Sequence, residues 1–84
     1  MITIVDEFLI LHTEIRGLMD KIDRTSPQDI QYDRYLKIAV NDINTLLGMI
    51  PKVKGQIDTQ FLDGVRDGLL YTLDVYRTKI GGRR

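Results

Sequence analysis

Apolar residues recur at alternating intervals of three and four in three separate stretches of this chain, and that spacing restricts it to helices packed along shared stripes. In the first stretch Ile4, Phe8, Leu11, Ile15, Leu18 and Ile22 make the seam of a coiled-coil-like packing. Thr3 followed by Asp6 has the form of a capping box, and the polar run Asp23-Arg24-Thr25 ends the pattern, so a helix is expected near residues 3–24.

The second stretch carries Leu36, Ala39, Ile43, Leu46 and Ile50. Ser26 is a suitable cap, Pro27 fits a first helical position that needs no amide hydrogen, and Asp29 favours the positive end of the helix dipole. Pro51 disfavours helical geometry at Ile50, which puts this helix at 27–49. The third stripe is Leu62, Val65, Leu69, Leu73, Tyr76 and Ile80; Asp58 or Thr59 starts it and Gly81-Gly82 stops it, giving 58–80. Val53 and Ile57 extend the same periodicity, so a start at Pro51 is the alternative. Residues 81–84 form a basic tail. Gly64 and Gly68 lie inside the third helix at about 1 kcal/mol each relative to alanine; four apart, they either admit another helix closely or are tolerated on an exposed face. With no strand pattern, the expected fold is all-α: a single domain, 1–84, forming a three-helix bundle built on an antiparallel helical hairpin.

A chain of 84 residues buries only about 60% of the surface its unfolded form exposes, and with no cysteine it has no disulfide or thiolate metal site to compensate. Ile2, Val5, Leu9 and Ile10 on the first helix, with Tyr32, Val40 and Leu47 on the second, add apolar surface beyond what one small core covers. Self-association into a homo-oligomer is therefore expected. Twelve basic and twelve acidic side chains cancel, which argues against a protein that wraps nucleic acid. Residues 1–51 hold eight acids against five bases and 52–84 four against seven, a division that suits complementary contacts within or between subunits. Asp6 and Glu7 interrupt the apolar start, so Met1–Leu11 reads as neither a signal peptide nor a membrane span, and a cytoplasmic location is expected.

Catalysis is poorly provided for. His12 is the one histidine, Ser26 already has a capping role, and no catalytic residue is assigned; the chain reads as a non-enzyme. His12 has no second histidine or helical i,i+4 carboxylate for a metal, and Glu14, Asp20 and Asp23 sit beside Arg16, Lys21 and Arg24 as ordinary solvated acids, so neither metal nor cofactor is expected. Residues 15–23 look superficially similar to the opening helix of chorismate mutases, but that family continues its helix where Thr25-Ser26-Pro27 ends this one. Binding remains. Arg34, Lys37, Asn41 and Thr45 share a face with Tyr32 and Tyr35 alongside, a set that suits phosphate and a flat base; a solvated face anchored by two tyrosines has the same pattern.

Asp33-Arg34-Tyr35-Leu36, Ile38-Ala39, Asp42-Ile43-Asn44-Thr45 and Met49 resemble the helical-hairpin phage proteins that disarm CBASS and related immunity by sequestering cyclic nucleotide signals. The likeness covers about residues 12–53. Tyr35 stands where that family usually has tryptophan, Lys37 takes a position that is typically small, and the third helix has no counterpart in the part that matches. The resemblance implies an oligomeric viral sponge in host cytoplasm that binds a cyclic di- or oligonucleotide without turnover. Arg34 would touch phosphate and Tyr35 would stack or anchor the helix; Lys37 is a local addition to that ligand-binding set. The competing reading is a small helical adaptor or regulatory protein acting through protein contacts. A third is a nucleic-acid-associated regulator using Lys52, Lys54, Arg66, Arg77 and the terminal arginines.

Overall fold

The three helical stripes supply the core, although not every member of a stripe is fully buried. The computed structural model describes residues 1–82 and consists of α1 (Ile4–Arg24), α2 (Ile30–Val53) and α3 (Thr59–Gly81). No strand occurs among the described residues. The capping box closes α1: Thr3 Oγ1 accepts from the Asp6 amide at 3.1 Å, and the Thr3 amide donates to Asp6 Oδ2 at 3.1 Å. At the other end the Thr25 hydroxyl donates to the Lys21 carbonyl at 2.7 Å.

Both ends of α2 differ from the expected 27–49. Ser26 and Pro27 do not start the helix. They begin a turn in which the Asp29 amide donates to the Ser26 carbonyl at 2.9 Å and the Gln28 amide donates to Ser26 Oγ at 3.3 Å. Asp29 is the cap, its Oδ1 accepting from the Gln31 amide at 2.9 Å. An ionised acceptor is the stronger partner for helical amides, and the helix accordingly begins three residues later than Ser26-Pro27 implies. At the far end α2 continues through Pro51 to Val53. A proline in the last turn forfeits little of the hydrogen-bond ladder, while Val53 is fully buried and holds the added turn against the core. The third helix therefore begins at Thr59 and not at Pro51. Between them Gly55, at φ +92°, supplies the left-handed residue of the turn, and the Gln56 amide donates to the Val53 carbonyl at 2.9 Å. Gly81 belongs to α3, not to the tail; Arg83 and Arg84 lie outside the described residues.

Helix α2 is the common partner. Both α1 and α3 pack along it, whereas no Cα of α1 comes within 8 Å of one in α3. Phe8, Ile15 and Ile22 of α1 meet Leu36, Ala39, Ile43 and Leu46 of α2, and Leu62, Leu69, Leu73 and Tyr76 complete the core from α3. Burying each such side chain contributes about 1.5–3 kcal/mol. Leu11, Leu18 and Val65, equally apolar and equally well spaced, are only half-buried because they sit at the edges of the contact. Tyr32, expected beside the donors of α2, belongs to the core instead. Packing is antiparallel between neighbours: Lys21 near the end of α1 lies over Tyr35 near the start of α2, and Lys79 near the end of α3 lies over Tyr32. None of these helices is long and apolar enough to cross a membrane.

Candidate functional site

On α2, Arg34 and Lys37 are three residues apart, about 60° around the helix, and both are exposed. Lys37 pairs with Asp33 at 3.0 Å, while Arg34 has no ion-pair partner among the described residues. Asn41 and Thr45 continue outward from Arg34, and the Thr45 hydroxyl donates to the Asn41 carbonyl at 3.1 Å. Tyr35 does not join this group. Two residues of helix turn it about 200° from Lys37, onto the flank facing α1, where Lys21 stands 5.4 Å from its ring centre. The outer face thus presents one unpaired cation and one paired cation with no ring between them.

Of the basic residues that suggested nucleic acid, Arg66 is compensated by neighbouring acids. Arg66 approaches Asp63 at 3.7 Å and Asp67 at 3.5 Å. With Lys54 it borders a notch of about 290 Å³ whose apolar wall is Leu47, Ile50, Pro51 and Leu70. Leu70 is 48% exposed, and Leu47 and Ile50 are half-buried, so this wall is a shallow apolar patch on the side of the α2–α3 seam.

The larger concavity lies elsewhere. Because α1 and α3 do not touch along their backbones, a groove of about 530 Å³ opens between them. His12, Arg16 and Met19 form its α1 wall, and Gln60, Phe61, Val65 and Thr72 line it from α3. Phe61 meets His12 edge to face, with centroids 5.8 Å apart, and Phe8 stacks on the same imidazole at 6.5 Å. Burial and the Arg16 charge both hold the His12 imidazole below its usual pKa. Gly64 and Gly68 face the groove, and a Cβ built on either meets nothing within 4 Å. No cluster of three or more His, Cys, Asp or Glu capable of holding a metal occurs among the described residues.

The sequence offered no direct sign of this grouping. His12 and Phe61 are 49 positions apart, and only the register of two parallel helices on a shared third joins them; the one local hint is that Ile2, Val5, Leu9, His12, Arg16 and Met19 follow three-four spacing beside the main seam. No family model, curated protein or solved structure matches the chain.

Proposed function

We propose that this chain is a small non-enzymatic helical adaptor that self-associates and acts through protein contacts, using the Leu47–Ile50–Leu70 patch. The observation that carries the reading is that patch: exposed Leu70 beside half-buried Leu47 and Ile50 on the outer side of the α2–α3 seam, bordered by Lys54 and Arg66. Apolar surface left at a helix seam suits a contact site, and the Lys54 charge at its edge suits the acidic balance of residues 1–51 of another copy. Sedimentation tests it. Wild-type protein should sediment above 9.7 kDa at micromolar concentration and Leu70→Glu as a folded monomer. A wild type that stays at monomer mass, with no change in the variant, removes self-association through this surface.

A second reading, sequestration of a cyclic nucleotide, is supported by Arg34, an outward guanidinium without an ion-pair partner among the described residues, beside Asn41 and Thr45. Removing a charged hydrogen-bond donor for phosphate costs about 1.5–3 kcal/mol. A cyclic di- or trinucleotide should then raise the melting temperature of wild type, and Arg34→Ala should abolish that rise without altering the unliganded value. Calorimetry that detects no heat with any cyclic di- or trinucleotide eliminates the sponge.

A further inference from the structure

We propose that the α1–α3 groove is a binding site for a small amphipathic anion, one acidic group on an apolar or aromatic body, with the head at Arg16 and the body between Met19 of α1 and the Phe61–Gly64–Gly68 wall of α3. This site is on the opposite flank from the Leu70 patch and does not depend on the contact reading or on Arg34.

The charge of the groove selects the sign of the ligand. Among the described residues Arg16 is the one formal charge in its lining, and no carboxylate lines it. The carboxylate a turn further along α1, Asp20, is engaged with Arg24 at 3.2 Å, and Arg16 has no ion-pair partner among the described residues. Arg16 is exposed at the edge of the groove, where its guanidinium offers a forked pair of donors to an oxyanion.

The walls select the body. Phe61 is 41% exposed although it is large and aromatic, and its free edge faces the same space as Met19 and Val65. Gly64 and Gly68 deepen the same α3 wall beside Phe61: no neighbour occupies the volume their missing side chains leave, and each weakens α3 by about 1 kcal/mol relative to alanine. Packing within the chain does not call for glycine at either position. The groove, about 530 Å³ and open along its length, has apolar walls with few polar groups; Gln60 and Thr72 supply those here beside Arg16.

The test titrates the full chain with 8-anilinonaphthalene-1-sulfonate, following fluorescence and confirming stoichiometry by calorimetry, with uncharged N-phenyl-1-naphthylamine as the comparison. Wild type should bind one sulfonate per chain and prefer it to the uncharged compound. Arg16→Gln should lose roughly tenfold or more for the sulfonate and nothing for the uncharged compound. Gly64→Leu should fill the groove and abolish both while melting at or above the wild-type temperature, since leucine is the better helix former. Leu70→Glu should leave binding intact. Absence of wild-type binding, equal affinity of wild type and Arg16→Gln for the sulfonate, or undiminished binding by folded Gly64→Leu overturns the proposal; should Gly64→Leu not fold, the Arg16→Gln comparison decides.

Discussion

Lys21 and Tyr35 tie the end of α1 to the start of α2, the ammonium lying 5.4 Å from the centre of the phenol ring. The pair explains why a tyrosine adjacent to Arg34 in sequence is not available to a ligand held by Arg34. Its ring is spent on the helix interface, where a cation over an aromatic face contributes about 0.5–1 kcal/mol at an exposed site. Lys21→Gln should therefore lower the melting temperature by several degrees, on the order of 4–8 °C per kcal/mol for a domain of this size. In a Tyr35→Leu background the same lysine change should cost nothing further; a full additional loss in that double variant would refute the coupling.

Ile15→Ala and Val65→Ala should separate by position and not by hydrophobicity. Ile15 is fully buried, so its truncation should cost about 2–5 kcal/mol, whereas half-buried Val65 borders the open groove and should cost about 1 kcal/mol or less. Urea midpoints at constant m-value make the comparison; equal losses would contradict the half-open geometry between α1 and α3.

Pro51→Ala should restore an amide donor in the last turn of α2 and remove the ring from a helical position. Against this, the unfolded chain regains freedom worth about 0.4–1 kcal/mol. The net expectation is a gain of about 1 kcal/mol in chemical denaturation, with helix content by circular dichroism essentially unchanged. A loss of stability would mean that the proline ring itself packs usefully against the Leu47–Leu70 notch.

Stability should fall at both ends of the pH scale, for different residues. His12 is disfavoured as a cation in the fold, first by burial and then by Arg16. Its contribution is present above the ordinary histidine value of 6.5 and is lost as pH drops through the lowered folded value. Tyr76 is the reverse case: burial first, then Asp23 and Tyr32, push its hydroxyl from 10.0 up to about 12. Its contribution is intact below pH 10.0 and disappears between there and about 12. His12→Gln should flatten the acid limb and Tyr76→Phe the alkaline limb of a plot of unfolding free energy against pH; an unaltered limb in either variant refutes the corresponding assignment.

The three helices were legible because periodicity is local: each stripe shows which face is apolar without knowledge of any other. The boundaries were less so where two caps competed. Ser26-Pro27 and Asp29 are all valid starting signals, and the carboxylate prevailed through its contact with the Gln31 amide. Pro51 misled for a related reason, since its local penalty is outweighed by Val53, whose burial depends on residues far away in sequence. The common face of Arg34 and Lys37 followed from their spacing, but Tyr35, expected alongside them, lies on the α1 flank instead, because which flank meets another helix is not written in one stripe. The groove containing Arg16 and Phe61 was invisible for the strongest form of this reason, because neither residue is near the other until both outer helices settle on α2.

Both α1 and α3 run along α2 and meet one another only through side chains such as His12 and Phe61, which makes this a chain with a spine. Opening one outer helix costs its contacts with α2 and its few side-chain contacts with the other outer helix, and leaves the remaining helix pair packed; α2 loses both partners only when the whole molecule comes apart. Its central amides, around Ala39 to Leu46, should exchange with deuterated solvent only through global unfolding, while those of α1 and α3 also escape by separate, cheaper routes. An occupant bridging the two outer helices would close those routes together, so its presence would be recorded as slower exchange on α1 and α3 with the spine unchanged until global stability itself rises.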